Sequence, residues 1–212
     1  MQQSPRPGSS RLSFYLVLSV LPLAAASLAA QPSYDCATAS GQVEQMICAD
    51  ETLAALDREL AAVYAEAVLT YPLEEQTNLK VQQRGWIKGR DACWKAEDVA
   101  ACVEGNYRAR IVELQITSGQ LPAPEAVSYA CTGFEEQPLL AAFYRDTTPA
   151  SVVLTRGDEQ LIAFIARSGS GARYTAAGIE FWEHQGEATV NWYGTGLQCR
   201  LIQAEAETRP GD

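Results

Sequence analysis

Thr117-Ser118-Gly119-Gln120-Leu121-Pro122-Ala123-Pro124 separates two segments whose apolar residues recur with different periods. Small residues and two prolines cannot carry a helix forward, so residues 118–125 read as an interdomain linker. Before the linker the pattern is helical. Asp50 is placed to cap a helix carrying Leu53, Leu56, Leu60, Val63, Tyr64 and Ala67 on one face, and Pro72 ends it. A second helix is expected over residues 74–93, with Leu79, Gln82, Trp86 and Arg90 along its stripe. A third, over 96–116, turns Val103, Tyr107, Ile111 and Leu114 inward. After the linker the period is two. Short β-rich runs at 127–131, 139–144, 151–155, 161–166, 179–184, 188–192 and 197–202 are separated by turn residues such as Gly157-Asp158 and Gly194-Thr195-Gly196. Seven or eight such strands predict a compact antiparallel barrel or sandwich. The fold class is therefore α+β multidomain: a small all-α domain over residues 31–117, then an antiparallel β domain over 126–205 and a short tail, 206–212.

The segment ahead of the helices is a different kind of sequence. Residues 1–30 hold Arg6 and Arg11, no acidic residue, an apolar run from Leu12 to Ala26 and a small-residue end, Ser27-Leu28-Ala29-Ala30. This is the pattern of a secretory signal peptide cut near Ala29 or Ala30. Pro22 interrupts the run, which is short of the roughly 20 residues a membrane span needs. Cys36 follows Ser33-Tyr34-Asp35 rather than a lipobox. A periplasmic or secreted protein without a lasting membrane anchor is expected.

Export sets the reading of the six cysteines, which should form three disulfides. Four lie in the helical segment (Cys36, Cys48, Cys93, Cys102) and two in the β segment (Cys131, Cys199). A Cys131–Cys199 bridge would join the first strand to the last, and closing a loop that long stabilises by roughly 4 kcal/mol in the chain-entropy model. The helical four allow three connectivities. An antiparallel hairpin that brings the start of the long first helix near the end of the second favours Cys48–Cys93 with Cys36–Cys102.

Charge narrows the partners. The net charge of −10 becomes −12 once the leader's two arginines are removed, which disfavours binding to nucleic acid phosphates. A basic macromolecule is the better partner, through long-range attraction. One histidine and no tight Cys-x-x-Cys spacing give no metal site, and nothing calls for a cofactor. A hydrolase triad can be drawn from Ser170, His184 and Glu180, but no Gly-x-Ser-x-Gly elbow sits between a strand and a helix. No enzymatic activity is expected.

The most informative local feature is Ser168-Gly169-Ser170-Gly171-Ala172-Arg173-Tyr174, read as a glycine-supported tip bearing a hydroxyl, a guanidinium and a phenol. His184, the sole histidine, follows Ser170 by fourteen positions in Phe181-Trp182-Glu183-His184-Gln185-Gly186. Phe181 and Trp182 alternate, so one should face the core and the other the surface. Tyr174 is also expected to brace the hairpin against Trp182.

At these residues the chain resembles the periplasmic and membrane-bound inhibitors of c-type lysozyme. That family carries a Ser-Gly-x-x-Tyr loop, a Phe/Trp strand and a Lys-Gly turn. The corresponding residues here are Ser170 to Tyr174, then Phe181-Trp182, then the turn reaching Glu187-Ala188. The resemblance covers about residues 126–203 and implies an eight-stranded antiparallel barrel that inserts the loop into the lysozyme active-site cleft. It also implies c-type lysozyme, a basic protein, as partner, with Ser168, Ser170, Gly171, Arg173, Tyr174 and His184 as binding residues. Counted from Ser170, the family's lysine falls on His184 and the following glycine on Gln185. A histidine of ordinary pKa is mostly neutral at pH 7 where lysine is charged.

The helical segment resembles the LprI N-terminal family of secreted, cysteine-paired domains. Tyr34-Asp35-Cys36, Cys48-Ala49-Asp50, Leu56-Asp57-Arg58-Glu59-Leu60, Gln83-Arg84, Trp86, Arg90-Asp91, Cys93, Cys102, Tyr107 and Arg110 carry the likeness over about residues 31–116. Gln83, Trp86, Arg90 and Asp91 are expected to pack helix against helix. The combined expectation is an exported lysozyme inhibitor. The competing one is an envelope binding or scaffolding module.

Overall fold

A computed structural model of the chain describes residues 31–134 and 136–202. The expected leader, its cut near Ala29 or Ala30, and the tail at 206–212 lie outside the described residues. Four helices come first: α1 (Gln42–Ala49), α2 (Glu51–Thr70), α3 (Leu73–Asp91) and α4 (Val99–Thr117). Among the described residues no helix is long and apolar enough to cross a membrane.

The helix starts follow from local chemistry. Asp50 and Asp98 each accept a backbone N–H from the third residue onward, Leu53 at 3.0 Å and Ala101 at 2.9 Å, satisfying donors that a helix start leaves orphaned. Helix α1 went unpredicted because it is barely two turns long; Val43 and Ile47, four apart, are its buried contacts. The Glu44 carboxylate accepts the Ser40 and Gly41 N–H groups at 3.0 Å each, and these bonds hold its pKa below the usual value. On α3 the inward stripe is Leu79, Gln83, Trp86 and Arg90, with Gln82 exposed, a shift of one position from the expected stripe.

Between the helices lies a buried polar network. Tyr107 Oη accepts from Arg90 Nη1 at 2.8 Å and donates to Asp57 Oδ1 at 2.7 Å. The other carboxylate oxygen of Asp57 accepts the Ser33 N–H and hydroxyl at 2.7 and 2.6 Å. Arg90 also donates from Nε and Nη2 to Asp91 and lies over the Trp86 and Tyr107 rings at 5.5 and 5.6 Å. Gln83 accepts from Arg110 Nε at 3.1 Å. The conspicuous polar residues of this segment thus join α2, α3, α4 and the incoming chain.

The cysteine pairing in the helical segment corrects the expectation. The bonds are Cys36–Cys48 and Cys93–Cys102, not Cys48–Cys93 and Cys36–Cys102. Each closes a short segment, of 12 and 9 residues. Cys36 opens a 3-10 turn beside α1, and Cys93 lies in a second 3-10 turn, Ala92–Lys95, just ahead of α4. A simple helical hairpin lacks α1 and the intervening 3-10 turn, and these neighbouring elements supply the partners close in sequence. All six cysteines are in disulfides, Cys131–Cys199 being the third.

Past α4, Gln120 donates to the Val63 carbonyl at 3.1 Å, tying the start of the linker to α2. The remainder is a closed antiparallel barrel: β1 (Val127–Cys131), β2 (Leu139–Tyr144), β3 (Ser151–Arg156), β4 (Glu159–Ala166), β5 (Ala172–Ala176), β6 (Ile179–His184), β7 (Glu187–Trp192) and β8 (Thr195–Leu201). Strands pair in chain order, and β1 returns to β8 with Cys131 opposite Cys199. Closure leaves no unpaired sheet edge. Alternation fills the interior: Ala188, Val190 and Trp192 of β7 point in while Glu187, Thr189 and Asn191 point out. Strand β5 is the one absent from the sequence expectation, because two glycines and two serines directly ahead of it carry the signal of a loop.

Candidate functional site

The strand pattern brings the two segments of interest to one end of the barrel. The β4–β5 connection carries Ser168 to Gly171, and the β6–β7 hairpin turns through Gln185-Gly186. Both hairpin residues have positive φ, 53° and 82°, the geometry that matches the twist of a two-residue hairpin. Register places Ala172 opposite Glu183, so Gly171 comes beside His184.

The loop is held from both sides. Ser168 Oγ donates to the Gly171 carbonyl at 2.9 Å, and Trp182 Nε1 donates to the Ser170 carbonyl at 2.8 Å. Gly171 has φ +65°, and a Cβ there would lie 2.2 Å from the Glu183 carbonyl oxygen. Only glycine fits that approach. The outcome is an exposed tip whose Ser170 hydroxyl has no hydrogen-bond partner among the described residues. His184 is exposed on the neighbouring strand end, and its imidazole is likewise without a partner there.

Arg173 and Tyr174 belong to β5 rather than to the tip. Arg173 faces outward and pairs with Glu180. Tyr174 faces inward, is 4 % exposed, and stands opposite Phe181 rather than Trp182. Phe181 is fully buried and Trp182 is 39 % exposed, as their alternation predicts. The tip therefore presents Ser168, Ser170 and Gly171, with His184 alongside. The triad that sequence alone allowed is not assembled: no hydrogen bond joins Ser170 to His184 or His184 to Glu180 among the described residues, and Glu180 is engaged by Arg173.

Sequence reading missed the mouth of the barrel at this same end. Val127, Tyr129, Phe143, Arg145, Ala172, Tyr174, Glu183 and Leu201 line a cavity of about 270 Å³. All but Arg145, which directly follows β2, fall on the inward set of their strand's alternation, the signal that could have found them. Burial pushes the Tyr129 phenol up to about 12, with the Glu183 charge acting in the same sense and Arg145 opposing. Burial also raises Tyr174. Among the described residues no three His, Cys, Asp or Glu side chains are grouped to hold a metal ion.

Residues 129–198 match the family of the membrane-bound lysozyme-inhibitor of c-type lysozyme, and residues 34–114 match the lysozyme inhibitor LprI family. Lipoprotein LprI of Mycobacterium tuberculosis and that of Mycobacterium bovis are each 36 % identical to this chain over 168 residues. The alignment covers 79 % of this chain and 83 % of the relative. The chain belongs to the LprI family, with the helical and barrel domains in the order expected. No solved structure matches it.

Proposed function

We propose that this chain inhibits c-type lysozyme from the bacterial periplasm or outside the cell, by inserting the Ser168–Gly171 tip into the enzyme's active-site cleft. The observation that supports this most is an unengaged hydroxyl, Ser170, on the β4–β5 tip and an unengaged imidazole, His184, on the strand end beside that tip, both without a partner among the described residues. A glycosidase of this type works with two carboxyl groups flanking the scissile bond, one donating a proton and one ionised. A hydroxyl presented to one and an imidazolium to the other would occupy both and exclude sugar. Inhibition on this reading is competitive.

The surrounding chemistry agrees with a basic partner. The acidic net charge accelerates encounter with a cationic enzyme, and the tip needs no rearrangement because Trp182, Ser168 and Gly171 already fix it. On this reading the barrel carries the inhibitory contact, while Asp57, Tyr107, Arg90, Asp91, Gln83 and Arg110 of the helical domain engage one another.

The test is a comparison of the wild type with Ser170→Ala and His184→Ala in a lysozyme activity assay. Each change is expected to weaken inhibition by about 10-fold, the scale of one lost charge-assisted contact. Unaltered inhibition in the double variant would place the contact elsewhere.

A further inference from the structure

The cavity at the barrel mouth has the features of a binding pocket. Tyr129 and Tyr174 are 2 % and 4 % exposed, yet neither phenol has a hydrogen-bond partner among the described residues. Their oxygens are not among the sealed-off unpaired atoms, so both open onto the cavity they line. Buried polar groups in native proteins are almost always paired. Two phenols that no group of the fold engages, opening into one small cavity, are available to an entering polar group.

The remaining lining limits the chemistry. Glu183 supplies an acceptor and Arg145 a donor; they make no ion pair with each other and instead flank the phenols electrostatically. A group entering here meets a carboxylate, a guanidinium and two phenols that both donate and accept. A bare cation would be opposed by Arg145 and a bare anion by Glu183. A carboxamide satisfies both, since its oxygen accepts from Arg145 or a phenol while its NH₂ donates to Glu183. The volume of about 270 Å³ falls below the usual range for a cofactor or drug-sized ligand and suits one side chain.

Position identifies the source. Glu183 precedes His184, and Ala172 follows the Gly171 that closes the tip, so whatever docks on the tip covers the mouth. Resting on the inhibitor reading, we propose that the barrel mouth receives one asparagine or glutamine side chain of the docked lysozyme, held by Tyr129, Tyr174, Arg145 and Glu183. The tip then blocks the cleft while the mouth grips the enzyme beside it, adding affinity and discriminating between lysozymes that differ at that one residue.

The test uses the full chain with Tyr129→Phe, Tyr174→Phe and the double variant, against a c-type lysozyme and its surface asparagine and glutamine→Ala variants. Each phenylalanine should weaken inhibition by about 2- to 10-fold, the worth of one hydrogen bond. Melting temperature at neutral pH should hold, because the hydroxyls have no partner inside the fold. One lysozyme carboxamide variant should lose affinity for the wild type but little further for the double variant, the non-additivity of a direct contact. Wild-type inhibition with an unchanged double variant overturns this inference and leaves the inhibitor reading standing. A fall in melting temperature of either variant, or strict additivity with every carboxamide, also overturns it. A wild type that does not inhibit overturns both.

Discussion

Gly171 and His184 are in such close contact that a methyl group on the glycine Cα would lie 3.0 Å from the histidine Cβ. The same methyl would lie 2.2 Å from the Glu183 carbonyl oxygen, a backbone atom that cannot swing aside. The tip and the histidine strand are therefore one packed unit. Gly171→Ala should cost about 1–2 kcal/mol from its left-handed backbone alone, and more from the clash. Circular dichroism should show an intact barrel, while inhibition falls by more than 10-fold because Ser170 is displaced.

Position 184 gives the chain a pH dependence that a lysine there would not. A pair of carboxylates favours a charged imidazolium over a neutral imidazole, whereas a lysine is charged throughout this window. Inhibition should strengthen as pH falls from about 8 to 6. His184→Lys should flatten the profile across that window and match the wild type's low-pH strength at pH 8. A flat wild-type profile would remove His184 from the contact.

The Asp57–Tyr107–Arg90 network makes the helical domain sensitive to single deletions. Asp57→Ala leaves the buried Tyr107 hydroxyl and the Ser33 N–H and hydroxyl without their acceptor, and takes from the buried Arg90 one of its two neighbouring carboxylates. Breaking such a network by removing one partner costs about 3–5 kcal/mol. Urea unfolding should show that loss in the helical transition, with the barrel's inhibition retained below the midpoint.

Stability should fail in alkali before the ordinary arginine range. Tyr34 and Tyr129 are pushed up to about 12 in the folded chain, chiefly by burial, whereas an unfolded tyrosine titrates near 10. The folded state therefore holds these protons more tightly. Their contribution is complete below about pH 10 and is lost as pH rises through about 12, near 1 kcal/mol per pH unit for each phenol. The urea midpoint should be level from pH 7 to 9 and fall above 10, with Tyr129→Phe lessening the fall in the barrel.

Much of this architecture was legible in the sequence because its signals are local. The change of period at Pro122 and Pro124, the cap at Asp50 and the alternation of Phe181 with Trp182 all depend on near neighbours, and all hold in the structure. Cys131–Cys199 was legible for a different reason: the first and last strands of a barrel must meet. The other disulfides were misread because α1, a helix with two buried contacts, carries too short a pattern to see. At the site, the resemblance points to Ser170 and His184, and register brings their neighbourhood together with Gly171 beside His184, but glycines make the loop look longer than it is. Strand β5 starts directly after Gly171, which turns Tyr174 inward. Tyr129, Arg145 and Glu183 are far apart in sequence and converge only through the register of a closed barrel.

The central claim is that the barrel's loop end occupies the lysozyme active site. Its most direct test is the initial rate of a c-type lysozyme on a soluble oligosaccharide substrate, at several concentrations of the purified chain. KM should rise in proportion to inhibitor while kcat is unchanged, since tip and sugar compete for one cleft. Full activity at a molar excess of the chain, or a fall in kcat at constant KM, would contradict it.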